Sequence, residues 1–97
     1  MIKHVIKKNG EKEVFDEQKI KRGIMAAAKE AGLTEERVRE VGEEVSKKVM
    51  EELREKEEVP TQVIREKVLE ELERTERKVA TAWIRYEKTE RKRDQEF

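Results

Sequence analysis

The side chains best suited to chemistry are charged, and they are unevenly distributed along the chain. Lys and Arg number 24 and Asp and Glu number 24, so the formal net charge is zero. Residues 1–29 nevertheless hold 8 basic and 4 acidic side chains, residues 30–76 hold 9 and 16, and residues 77–97 hold 7 and 4. An anion is therefore attracted to the place where the first and last elements meet.

Signatures of catalysis are scarce. The sequence has one His, no Cys and no glycine-rich phosphate loop of the P-loop or dinucleotide type. His4 has no second His or Cys with which to share a metal, and Ser46 lies among charged residues without a recognisable base. We therefore predict a hydrogen-bonded or solvent-facing His4, a solvent-facing or back-bonded Ser46, no metal site and no enzymatic activity.

Length and composition favour one small soluble domain over residues 1–97. No stretch approaches the roughly 20 apolar residues of a membrane span, and the first ten residues lack a signal peptide's apolar run, so the expected location is the cytoplasm. Charged residues make up 49% of the chain, and nearly all of the acids are Glu. Such enrichment in Lys and Glu favours helices and is typical of proteins from heat-loving organisms.

The first fifteen residues predict a β-hairpin, because apolar residues flank Asn9-Gly10, a pair that tolerates the positive φ of a tight turn. A two-residue loop places Lys7 opposite Lys12, which is an unfavourable like-charge pair. A three-residue loop, Lys8-Asn9-Gly10, instead pairs Lys7 with Glu11. We prefer this second register, which also pairs Val5 with Glu13 and places Val5, Lys7 and Glu13 on one face of the hairpin.

Four helices are predicted after the hairpin, from apolar spacings of three and four and from capping residues. Asp16 caps the first helix and Gly32 ends it; Thr34 caps the second. Val59-Pro60-Thr61 interrupts the helices, with Val59 a candidate for a short third strand and Thr61 the expected cap of helix three. The predicted core positions are Ile20, Ile24, Ala27, Ala28, Ala31, Val38, Val41, Val45, Val49, Leu53, Ile64, Val68, Leu72, Val79, Ala82, Trp83 and Tyr86.

The predicted fold class is α+β and mainly helical. About four helices are covered by a small N-terminal β-hairpin or a three-stranded mixed sheet. The last helix is followed by a charged, largely basic tail over about residues 91–97.

Three segments together resemble the ATP-cone, a regulatory domain found on ribonucleotide reductases and their nucleotide-responsive repressors. They are Val5-x-Lys7-Lys8-x-Gly10-x-x-Glu13-x-Phe15-Asp16-x-x-Lys19-Ile20-x-Arg22, Val59-Pro60-Thr61-x-x-Ile64 and Val79-Ala80-x-Ala82-Trp83-Ile84-x-Tyr86. The resemblance covers about residues 3–93. It implies four helices under a small mixed sheet that bind ATP or dATP, with any role of Mg²⁺ left open.

Carried over position by position, the resemblance implies which residues contact the nucleotide. Lys7, Lys8 and Lys88 match phosphate contacts, and their ammonium groups are charge-assisted donors. Glu13 and Asp16 match positions near the base, where a carboxylate accepts from the adenine amino group and repels the guanine oxygen. The remaining matches are Lys19, Thr61, Arg65 and Arg85 as ligand-facing residues, and Val5 and Ile20 as apolar walls for the base.

Two positions depart from the family pattern: Lys8 replaces a common Arg, and Glu87 stands where a basic residue is common. The resemblance implies a sensor for deoxynucleotide synthesis or its transcription, acting through a partner such as a ribonucleotide reductase or a transcription regulator, or through homo-oligomerisation.

The alternative is a nucleic-acid- or protein-binding module without a mononucleotide site, which uses the basic hairpin and tail. The acidic middle of the chain argues against that alternative, and a third interpretation is a purely structural oligomer scaffold.

Overall fold

The computed structural model describes residues 1–92, with side chains through Lys88. The elements in chain order are β1 (His4–Ile6), β2 (Lys12–Val14), α1 (Glu17–Glu30), α2 (Glu35–Glu52), β3 (Glu58–Pro60), α3 (Thr61–Thr75) and α4 (Arg77–Lys92). This confirms the predicted class, a mainly helical α+β fold with four helices and a small mixed sheet in the described residues. The predicted tail begins within α4, and residues 93–97 lie outside the described residues.

The hairpin adopts the preferred register. Val5 lies opposite Glu13, and the Lys7 N–H donates to the Glu11 carbonyl over 2.8 Å. Gly10 has φ of 90°, a left-handed conformation that favours glycine. The three-residue loop thus avoids the like-charge pair between Lys7 and Lys12 that a two-residue loop would impose.

Val59 forms the predicted third strand. β3 pairs in parallel with β1, with Val5 opposite Val59 and Ile6 opposite Pro60, so the strand order is β2-β1-β3. Val5 and Val59 are fully buried, which shows that their face of the sheet packs on the helices. Because β1 and β3 are parallel, both end at the same edge of the sheet.

Local capping explains three of the helix ends. The Asp16 carboxylate accepts from the Gln18 N–H over 3.0 Å, and the Thr34 hydroxyl accepts from the Arg37 N–H over 3.2 Å. Gly32, with φ of 88°, follows Ala31, the C-cap of α1, and closes the helix with backbone hydrogen bonds of a Schellman type.

The expectation that Thr61 caps α3 is wrong. Pro60 occupies the N-cap position with an extended backbone, and α3 has no side-chain cap hydrogen bond. The proline ring already fixes the φ that precedes the helix, so Thr61 becomes the first helical residue and is buried.

The helices enclose one hydrophobic core. α1 packs against α2 and α4, and α3 also packs against α2 and α4, so α2 and α4 lie at opposite corners of the bundle. Trp83 is the largest fully buried side chain. Among the described residues, no helix is long and apolar enough to cross a membrane.

Candidate functional site

Three charged side chains meet between the hairpin and α1. The Lys7 ammonium lies 3.4 Å from one carboxylate oxygen of Glu13, and the Lys19 ammonium lies 3.7 Å from the other. That second oxygen, Oε1, is inaccessible to solvent and accepts no hydrogen bond from the described residues. A buried acceptor without a donor is costly, so Glu13 is well placed to accept a hydrogen bond from a ligand.

A second group of side chains lies at the edge where β1 and β3 end. Lys7 and Lys8 follow β1 directly, and Thr61 follows β3 in the same way, because Ile6 and Pro60 are paired. α3 begins at this edge without a side-chain cap and without an acidic residue in its first turn. The partial positive charge of a helix N-terminus and two lysines therefore coincide at one edge of the sheet.

α3 contributes Arg65, one turn after Thr61 on the same face of the helix. The Arg65 Nε lies 3.8 Å from Oε2 of Glu87, which projects from α4, and both side chains are about nine-tenths buried. Arg65 and Thr61 are themselves buried residues. A cation and an anion from two different helices are thus held together beside the edge of the sheet.

α1 approaches α4 closely at Gly23, one turn after Lys19. A Cβ atom at Gly23 would lie 3.2 Å from Cζ3 of Trp83 and 3.3 Å from Cε2 of Tyr86. These two aromatic rings are stacked, with centroids 5.6 Å apart. Because Gly23 has no side chain, the Trp83 and Tyr86 rings of α4 can pack directly against the backbone of α1.

These contacts, together with neighbouring positions along α1, α3 and α4 and the paired ends of β1 and β3, form a closed circuit, which we call the contact ring. It passes from the hairpin to α1, across to α4, and back through α3 to the edge of the sheet. Its members, in order, are Lys7, Glu13, Lys19, Gly23, Tyr86, Glu87, Arg65 and Thr61. Five of the predicted site residues therefore lie on one circuit drawn from the hairpin and three helices.

Four of the other predicted site residues occupy three kinds of position. Val5 and Ile20 are fully buried, Val5 opposite Glu13 and Ile20 beside Lys19. Asp16 caps α1, close in sequence to Lys19. Lys8 is exposed in the hairpin turn.

Arg85 and Lys88 do not join the contact ring through any of the contacts described above. They lie on the exposed side of α4, where they line an open groove of about 500 Å³ between α1 and α4 together with Ala26, Ala27, Glu30 and Tyr86. Tyr86 belongs to both the groove and the contact ring, so the two are adjacent at this residue.

Sequence reasoning did not identify Gly23 as a site residue and noted Glu87 only as a departure. Glu87 follows Trp83 by four residues, so the same spacing that predicts a buried Trp83 also directs Glu87 toward the interior. Gly23 interrupts a strong helical pattern in α1, which often signals close packing. No group of three or more acidic or His side chains suited to a metal occurs in residues 1–88, the part of the chain whose side chains the structure describes.

The sequence model of the ATP cone domain matches residues 3–92, nearly the whole chain. This protein belongs to the ATP cone domain family. An ATP cone is a regulatory, non-catalytic domain that binds adenine nucleotides, which agrees with the sequence-based prediction. A search of curated protein sequences finds no significant match.

Proposed function

We propose that this ATP cone binds ATP or dATP within the contact ring and acts as an allosteric sensor. The observation that carries the proposal is the buried Oε1 of Glu13, which lacks a hydrogen-bond donor from the described residues and belongs to a carboxylate that lies between Lys7 and Lys19. Nucleotide binding by the ATP cone family supports the choice of ligand.

The base is assigned to the hairpin side of the ring. The exocyclic amino group of adenine donates to the Glu13 carboxylate, whereas the corresponding oxygen of guanine would be repelled by it. Asp16 lies near the same end of α1. Val5 and Ile20 are buried under this region, so they reach the base as apolar walls only when the hairpin moves away from α1.

The phosphates are assigned to the edge where β1 and β3 end. Lys7, Lys8 and Lys19 supply ammonium groups, and the N-terminus of α3 supplies Thr61 and its backbone N–H groups. Arg65 supplies a guanidinium with two donors suited to phosphate oxygens. Any Mg²⁺ in the complex is held by the phosphates.

Arg85 and Lys88 form a separate part of the proposal. They line the groove beside Tyr86, so they contact phosphates that extend past the Tyr86 side chain. The proposal therefore assigns them a smaller share of the affinity than Lys7.

The output of binding is a change in the helical surface. A nucleotide that bridges the hairpin, α1 and α3 stabilises one arrangement of these elements, and a partner or second copy of the chain that prefers this arrangement then binds more tightly. Family membership supports a regulatory role in deoxynucleotide synthesis or its transcription, with a ribonucleotide reductase or a transcription regulator as the partner.

Isothermal titration of ATP, dATP and GTP, with and without Mg²⁺, tests the proposal. Lys7→Ala should weaken ATP binding about 10- to 100-fold, because it removes a charged hydrogen bond of roughly 1.5–3 kcal/mol. Glu13→Gln should reduce the preference for adenine over guanine. The matched control is Lys12→Ala, which removes the same charge from the opposite face of the hairpin and should leave the affinity unchanged.

Saturable, adenine-selective binding that depends on Lys7 and Glu13 would support the site. Absence of binding by the unmodified protein at millimolar ATP would refute the proposed function. The rival hypothesis of nucleic-acid binding is tested with the same protein and duplex DNA at several salt concentrations. Contacts with several phosphates would produce a steep loss of affinity as salt rises.

A further inference from the structure

Glu87 is an anion in the part of the site to which the proposed function assigns phosphates. Its side chain is only 8% exposed, and its Oε2 lies 3.8 Å from Nε of Arg65. Arg65 is buried to a similar extent. A buried carboxylate beside a buried guanidinium lowers the positive potential that this guanidinium offers to any other anion.

We propose that Glu87 is an affinity-setting residue that competes with the ligand's phosphates for Arg65. This inference rests on the proposed function. Removing charge from water is costly, so Arg65 has to be paired in the ligand-free protein, and Glu87 provides that pairing. A phosphate oxygen can take over the guanidinium through short, bidentate hydrogen bonds, whereas Nε and Oε2 of the existing pair are 3.8 Å apart.

The exchange connects ligand binding with helix packing. Arg65 belongs to α3 and Glu87 to α4, and these two helices pack directly against each other. Glu87 also follows Tyr86 in sequence. The Tyr86 ring packs against α1 at Gly23. When phosphate displaces Glu87 from Arg65, the carboxylate must find other partners or water, and the α3–α4 contact changes with it.

The competition predicts that neutralising Glu87 tightens phosphate binding. Glu87→Gln keeps the size of the side chain and should strengthen the binding of ATP and of inorganic triphosphate about tenfold, or about 1.4 kcal/mol. Adenosine, which has no phosphate, should bind with unchanged affinity. In an Arg65→Met background the same substitution should have no effect, because the group that is competed for is missing.

The matched control is Glu71→Gln. Glu71 is also a buried glutamate, and it pairs with Arg74 over 3.4 Å, but it lies outside the contact ring. Titration calorimetry of the full chain should therefore show unchanged ATP affinity for this variant. Circular dichroism checks that each variant is folded, and Glu87→Met serves as a second neutral variant if Glu87→Gln is not folded.

The outcomes separate this inference from the proposed function. Tighter binding of ATP and triphosphate by a neutral Glu87 variant, dependent on Arg65, supports the competition. If the unmodified protein binds ATP but neutral Glu87 variants bind it equally or more weakly, the competition is refuted and the proposed function stands. If neither the unmodified protein nor the neutral variants bind ATP or triphosphate, both are refuted.

Discussion

Gly23→Ala is expected to destabilise the protein although alanine is the better helix former. In the interior of a helix such as α1, Ala is favoured over Gly by about 1 kcal/mol. The added Cβ would lie 3.2 Å from Cζ3 of Trp83 and 3.3 Å from Cε2 of Tyr86. Trp83 is fully buried and cannot move outward, and overpacking of this kind costs about 1–3 kcal/mol.

Together the two effects lower the free energy of unfolding by about 1 kcal/mol, which lowers the Tm of a domain of this size by about 4–8 °C. Thermal unfolding followed by circular dichroism measures this shift. In a Trp83→Phe background, which lacks Cζ3 of the indole, Gly23→Ala should destabilise the protein less, and the contact with Tyr86 accounts for what remains. A Gly23→Ala variant that melts several degrees higher than the unmodified protein would show that the packing of α1 on α4 tolerates a Cβ there.

Three further changes have defined outcomes. Thr34→Ala removes the side-chain cap of α2 and should lower the free energy of unfolding, measured by urea denaturation, by about 1 kcal/mol. Thr34→Ser keeps a hydroxyl and should retain most of this stability. Equal losses in both variants would refute the role of the hydroxyl. Arg37→Ala removes the ion pair that joins α2 to Glu76, so the Tm deficit of this variant should shrink in high salt. A deficit that does not depend on salt would contradict this account. The hydrogen bond from Lys12 lowers the pKa of Glu58, so this pair stabilises the fold above the ordinary pKa of a glutamate and loses its effect as pH falls through the pKa of folded Glu58. The Tm difference between the unmodified protein and Lys12→Ala should therefore vanish in acid, and a difference that persists there would argue against the pair.

Much of the fold could be predicted because local chemistry determines it. The register of the hairpin follows from the choice between pairing Lys7 with Lys12 and pairing it with Glu11. Asp16 and Thr34 cap helices through hydrogen bonds to residues two or three positions away. Such contacts are encoded within a few residues, so a single sequence is sufficient to identify them.

The start of α3 shows where local signals compete. Pro60 and Thr61 are both suited to a helix N-terminus, the first because its φ is fixed and the second because its hydroxyl can cap. Pairing of Pro60 with Ile6 in the sheet keeps Pro60 extended, and the helix begins one residue later. This tertiary contact is not visible in the sequence around Thr61.

The candidate site was predicted less completely because it depends on the rotation of α4. The apolar spacing that includes Trp83 and Tyr86 identifies the inward face of this helix, and Arg85 and Lys88 lie outside it. The resemblance implies that they contact the ligand, and in the structure they line the groove beside Tyr86. Glu87 instead enters the interior because α3 supplies Arg65, a partner that is distant in sequence.

The hairpin is the element whose order depends most on the site. Each of its strands has three residues, and such a short hairpin is marginally stable alone. Its order therefore comes from β3, from the burial of Val5, and from the ion pairs that join Glu13 to Lys7 and Lys19. These same side chains are the proposed ligand contacts. A nucleotide that engages them must change how firmly the hairpin is held on α1, so that binding and the order of the hairpin are thermodynamically linked.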